Sequence, residues 1–165
     1  MKTSKTVLGA VVVTVLGLSA GINAPQAVAA QNFYPGMMCV KTAGLGTLEE
    51  FAGSIRNRSP SEGVVVACPV VANTFRRITG ILRVTNRHAT QQISCTLFAS
   101  ARRQSDSAWI FKTSAGWTSR AGNDVQSFVA KTLTLPNSHY HFTCYIPPTY
   151  NGQTSEIHTY EVFEE

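Results

Sequence analysis

The feature that most constrains this chain is a pair of short runs whose side chains alternate with period two around a cysteine. In residues 92–99, Ile93, Cys95, Leu97 and Ala99 fall on one side, and Ser94, Thr96 and Phe98 on the other. In residues 140–146, Tyr140, Phe142, Cys144 and Ile146 share one side, while His141, Thr143 and Tyr145 share the other. Successive side chains of a strand point to opposite faces, so both runs read as strands with one apolar face. A third run, 63–68, is β-branched, carries Cys68 and stops at Pro69. Its lack of polar alternation suggests the centre of a sheet, and pairing is expected to end at Pro69, which has no N–H to give a ladder.

Further strands are predicted over 51–56, 79–86, 108–113, 125–135 and 155–163, separated by turn formers such as Asn57, Ser59 and Pro60, or Pro136 and Asn137. In 125–135 the apolar face is read as Val129, Leu133 and Leu135, interrupted by Lys131. Asn151-Gly152 has the composition of a tight hairpin turn. The glycine-rich stretch 31–48 reads as a loosely held N-terminal arm with one short strand at 38–42, tied down by Cys39, and Glu164-Glu165 as a frayed tail. Seven to nine short strands and no long helix define an all-β chain, a single antiparallel β-sandwich, jelly-roll-like or immunoglobulin-like.

The first thirty residues stand apart. Lys2 and Lys5 precede an apolar run over 7–18, and Ala27-Val28-Ala29 fits a small-x-small cleavage site. That is the pattern of a secretory signal peptide over 1–30, too short and too quickly cleaved for a membrane anchor. Residues 31–165 then form one domain, secreted or periplasmic, with no later run long enough to span a bilayer. All four cysteines lie in that part, and an oxidising compartment with an even count predicts two disulfides. The favoured pairing is Cys39–Cys68 with Cys95–Cys144. Cys95 and Cys144 both point to an apolar face, which suits neighbouring strands or locally pinched sheets, and Cys39 anchors the arm to a strand end. Cys39–Cys144 with Cys68–Cys95 is the alternative. Asn57-Arg58-Ser59 matches the acceptor pattern for N-glycosylation.

Signatures of catalysis are missing. There is no Gly-x-Ser-x-Gly elbow, no His-Glu-x-x-His and no phosphate-binding glycine loop. Asp106 and Asp124 flank the two tryptophans and make a conceivable glycosidase pair. The metal lead is His139-x-His141, on one face of a strand, with His158 as a third ligand if the last strand pairs beside them. Two solvated histidines near a turn is the plainer reading, and His88 reads as solvated in a polar turn. The binding lead is aromatic: Trp109, Trp117, Tyr145, Tyr150 and Tyr160 as a platform for sugars or other flat apolar faces. The plainer reading has Trp109 filling the core and Trp117 covering one end of it. Arg76, Arg77 and Arg83 begin a basic cluster that would suit a polyanion, or would cover the solvent side of strands. These features point to an exported structural or binding domain that is not an enzyme and needs no cofactor. A cell-surface glycan or a polyanion is the candidate partner. The rival is a small secreted hydrolase or metal-binding protein with an unrecognised site.

A hydrophobic strand ending in Cys68-Pro69, the Ser94-Cys95-Thr96 strand, and Cys144-x-Ile146-Pro147-Pro148 before a final strand give the chain a resemblance to a loose group of uncharacterised secreted bacterial proteins. The resemblance covers roughly the last hundred residues. It implies a bacterial origin, a periplasmic or extracellular site and a single β-sandwich, and it brings no functional residues to transfer.

Overall fold

The computed structural model describes residues 30–71, 78–133, 135 and 138–164. The expected signal peptide, up to residue 29, and Arg76 and Arg77 lie outside the described residues. Among the described residues the chain forms twelve strands, more than the seven to nine expected: β1 (Ala30–Pro35), β2 (Val40–Ala43), β3 (Leu48–Phe51), β4 (Ser54–Asn57), β5 (Val64–Val70), β6 (Ile78–Thr85), β7 (Ser94–Arg102), β8 (Trp109–Thr113), β9 (Trp117–Thr118), β10 (Gln126–Leu133), β11 (His139–Ile146) and β12 (Glu156–Glu164). They make two antiparallel sheets packed as a sandwich. The first has the order β10-β6-β12-β4-β3, with β1 on β12 beside β4; the second has the order β2-β5-β11-β7-β8, with β9 on β7 beyond the end of β8. One turn of 3₁₀ helix, Gly36–Met38, joins β1 to the second sheet.

Alternation sets which side chains meet between the sheets. Cys95, Leu97, Ala99 and Ala101 of β7, Tyr140, Phe142, Cys144 and Ile146 of β11, and Val64, Val66 and Cys68 of β5 are buried against Ile78, Leu82 and Val84 of β6 and Ile157, Tyr160 and Val162 of β12. Phe142 is the centre of this layer. Its ring meets Phe128 and Tyr160 edge-on, with centroids 6.5 and 6.0 Å away. It also reaches across to Gly80, where a Cβ would stand 2.3 Å from Cζ of Phe142. Gly80 is therefore glycine for lack of room.

Both disulfides lie on the core side of the second sheet. Cys95 and Cys144 sit directly opposite each other on the neighbouring strands β7 and β11, with Cα atoms 4.1 Å apart. Cys39, just before β2, is bonded to Cys68 of β5, with Cα atoms 4.0 Å apart. This is the favoured pairing, in its neighbouring-strand form.

Several local readings need correction. The 31–48 segment is not a loose arm: all six residues of β1 pair with β12. Tyr34 also stacks on Tyr160 at 4.9 Å, and its Oη both donates to the Val71 carbonyl and accepts from the Val71 N–H. One predicted strand over 51–56 is a hairpin, β3 to β4, turning on Ala52 and Gly53 with φ of 48° and 83°. Gly53 takes that conformation freely. Pairing does not stop at Pro69, which stands opposite His141. Strand β2 reaches only to Ala67 on the other flank, so Pro69 has no ladder partner there to disappoint, and its carbonyl accepts from Tyr160 Oη at 2.8 Å. In β10 the inward residues are Phe128 and Ala130, and Val129 is exposed. A register shift between Ala130 and Leu133 then restores Leu135 to the core, which is why a single parity failed. Glu164 is buried in β12 rather than frayed. The Asn57 amide is fully buried, donating to the carbonyls of Glu62, Ile146 and Pro147, so the sequon presents no acceptor on the folded surface.

Three substitutions test this core. Gly80→Val drives a side chain into the Phe142 ring and is expected to cost about 1–3 kcal/mol, whereas Phe142→Ala should cost about 3–5 kcal/mol, both read as midpoint shifts in urea. Replacing Cys95 and Cys144 together by Ala removes a link across 49 residues and should cost about 4 kcal/mol by the chain-entropy argument. Non-reducing peptide mapping should recover the Cys39–Cys68 and Cys95–Cys144 peptides; a Cys68–Cys95 peptide would contradict this strand order.

Candidate functional site

Two aromatic features border clefts, at opposite ends of β7. The first is on β8. Ala99 and Ala101 of β7 point into the core, so Ser100 and Arg102 point out, and their register partners Phe111 and Trp109 point out with them. Trp109 is 58% exposed and Phe111 65%. Their rings are stacked, centroids 6.4 Å apart and planes 23° from parallel. A cleft of about 520 Å³ opens next to Trp109, with Arg102, Gln104 and His139 among its walls. The hairpin tip behind it is braced: Arg103 pairs with Asp106 at 3.0 Å, Asp106 accepts from the Ala108 N–H, and Arg102 Nε donates to the Ser107 carbonyl. The result is an exposed pair of rings, one of which, Trp109, borders a cleft that carries Arg102, Gln104 and His139 and reaches inward to Ala101, Ile110 and Leu135.

The second feature is at the start of β7. Trp117 of β9 stands opposite Cys95 and therefore faces inward, where its ring stacks on Phe128 of β10 at 5.2 Å. It closes the open side of the sandwich and also lines a cleft of about 540 Å³ together with Arg120, Asp124 and Gln126. The loop between β9 and β10 is tethered at three points. Ser119 donates its N–H to the Ile93 carbonyl at 2.8 Å and accepts the Ile93 N–H on Oγ at 2.9 Å. The Gln126 side chain grips Arg120, accepting from its N–H and donating to its carbonyl at 2.7 and 2.6 Å. Gly122 donates to the Asn86 carbonyl at 2.8 Å.

The remaining candidates scatter. Tyr160 is core: it is fully buried, hydrogen-bonded to Pro69, and burial, followed by the nearby Tyr34 phenol, pushes its own phenol far above the ordinary range. It is no part of a platform. Tyr145 lies flat over Gly63 and donates to Gln91, and Tyr150 packs at a tilt on His88. Trp109 does not fill the core, as the plainer reading held, while Trp117 does cover one end of it.

The metal trio is not assembled. His139 and His141 share the outer face of β11, but His158 is on β12 in the other sheet, hydrogen-bonded to Thr85 Oγ1 at 2.8 Å. His141 stacks on Phe98 at 5.4 Å, and burial lowers its pKa, favouring the neutral ring. Among the described residues no group of three His, Cys, Asp or Glu side chains could hold a metal ion. His88, read as solvated, is buried, and its Nδ1 accepts from the N–H groups of Thr90 and Gln91. Asp106 and Asp124 sit at opposite ends of β7 and make no carboxylate pair. Arg83 is ion-paired with Glu161 and Arg87 with Glu156, which takes both out of a free basic patch. Sequence reasoning overlooked Phe111 and Arg120. The signal for Phe111 was available in its i, i+2 spacing from Trp109, which puts both on one face of any strand.

No family model matches the chain, and no curated protein matches it. Among solved structures, the chain is similar to the CBM22-1-GH10 modules of an endo-1,4-beta-D-xylanase from Clostridium thermocellum, complexed with xylohexaose, at 10% identity and a TM-score of 0.50, over 84% of this chain and 28% of that one. It spans little more than a quarter of that protein. A low-affinity xylan-binding module of Roseburia intestinalis aligns at 11% identity and a TM-score of 0.49, covering 82% of this chain and 95% of that one. A family 35 carbohydrate-binding module of Clostridium thermocellum aligns at 13% identity and 0.48, covering 83% and 100%. At these identities the likeness is one of fold: two antiparallel sheets packed as a sandwich.

Proposed function

We propose that this chain is an exported, non-catalytic domain that binds polysaccharide at or near the cell surface, using the Trp109–Phe111 surface of β8. The carrying observation is that pair of exposed, near-parallel rings on one face of one strand. Contiguous aromatic surface held open to water costs solubility and is characteristic of contact sites. The axial C–H groups of a sugar ring lie well on the electron-rich face of an indole or phenyl ring. Arg102, Gln104 and His139 stand beside Trp109 to meet hydroxyl groups. The sandwich architecture, shared with xylanase modules that were complexed with xylohexaose, supports the same reading and makes xylan the first ligand to try. The signal-peptide pattern and two disulfides support export to an oxidising compartment. The resemblance to secreted bacterial proteins supports a bacterial source.

The test is depletion of the protein from solution by insoluble xylan and cellulose, with a glycan array for breadth. Replacing Trp109 and Phe111 together by Ala should weaken retention at least tenfold, about 1.4 kcal/mol, while the urea midpoint stays within about 0.5 kcal/mol because both side chains are exposed. Absence of binding to every polysaccharide would overturn the reading, and turnover in a hydrolase panel would replace it with a catalytic one.

A further inference from the structure

The cleft at Trp117 is separate from the β8 surface. We propose that it is a second saccharide subsite, selective for an uncharged pyranose ring over anionic and cationic sugars. The inference rests on the reading of the domain as a glycan binder and adds a site and a ligand class to it.

Three observations carry it. The first is rigidity. The loop over 119–125 is exposed from residue 120 on and bears a glycine, yet it is tethered to Ile93, to Gln126 and to Asn86. A loop held this firmly has lost its conformational freedom before a ligand arrives, so little is left to lose on binding. The second is the wall. One face of the Trp117 indole is supported by Phe128, and the ring lines the cleft. The third is the pair of charges. Arg120 and Asp124 both line the cleft, and among the described residues neither side chain has an ion pair or hydrogen bond. The guanidinium offers a fork of donors, and the carboxylate accepts from two adjacent hydroxyls. An uncharged ring with vicinal hydroxyls satisfies both. A uronate gains Arg120 but is repelled by Asp124, and a hexosammonium gains Asp124 but is repelled by Arg120; in each case the two Coulomb contributions offset while the ligand's own charge must shed water, so the uncharged ring is favoured.

The test uses the protein purified after export from a secreting host and an isosteric series: methyl β-glucopyranoside, methyl β-glucuronide and methyl β-glucosaminide in its ammonium form. Heteronuclear NMR titration should shift the Trp117 indole N–H and the amides over 119–125 with the neutral glycoside, and the two charged glycosides should bind about fivefold or more weakly. Asp124→Asn should tighten the glucuronide and Arg120→Gln the glucosaminide, while each weakens the neutral ligand by about three- to tenfold. Those opposite movements are not what mere loosening of the loop would produce. The Trp109→Ala/Phe111→Ala variant should leave these shifts unchanged. Equal affinity for all three glycosides, or no movement of the Trp117 indole with any of them, overturns the inference. If insoluble polysaccharide is still retained through β8, the domain reading stands and this subsite alone falls; if neither ligand type binds, both fall.

Discussion

The spacing of the two sheets at their centre is set by the ring of Phe142 against the bare backbone of Gly80. The contact lets β11, the middle strand of one sheet, lie close against β6, an inner strand of the other, where a Cβ would not fit. Phe128 and Tyr160 flank the same ring from β10 and β12. Much else depends on this arrangement. Tyr160 is positioned to receive Tyr34 on its face and to donate to Pro69. Phe128 is positioned to support Trp117. The chain from Trp117 through Phe128, Phe142 and Tyr160 to Tyr34 is a continuous row of rings through the sandwich, one ring of which borders a candidate site.

The ends of the sandwich are organised by buried amides. Asn57 collects three carbonyls at one loop, and its Oδ1 accepts the Ser59 N–H. Asn86 donates to Gln91 and accepts from Ser155 and from the His88 N–H, while its own carbonyl takes Gly122. A buried amide left unpaired would be costly, so each of these satisfied side chains specifies one loop conformation. Stiffness of the 119–125 loop is therefore inherited from the core of its neighbours rather than from its own composition.

Sheet class and disulfides were legible because alternation and cysteine position are local properties. Cys95 and Cys144 could be assigned inward from their immediate neighbours, and inward direction is most of what a bridge requires. The errors arose where partners distant in sequence decide the outcome. Nothing near Tyr34 announces that Val71 and Tyr160 will hold it, so β1 read as an arm. Nothing near Val129 announces a shifted register against β6, so the wrong parity was chosen for β10. For the aromatic set, exposure depends on which face of its strand a ring takes. Trp109 stands opposite Arg102 on the outer face of its sheet, while Ile110 beside it on the same edge strand packs on the core, and Tyr160 points between the sheets. Residue type alone gave the two the same standing.

Strand β1 has a consequence for the order of events in folding. Its sheet partner is β12, from Ala30 against Glu164 to Pro35 against Thr159, so the first strand of the sandwich pairs with the last. Contacts of such long sequence separation are slow to form, because the whole intervening loop must be closed before they give any return. The ladder between β1 and β12, and the position of β12 between β6 and β4, cannot exist until the final residues are available. Until its residues up to Glu164 are available, the first sheet lacks the one strand on which β1, β4 and β6 all pair, so a chain made from its N-terminus can assemble partners of the second sheet before it can complete the first.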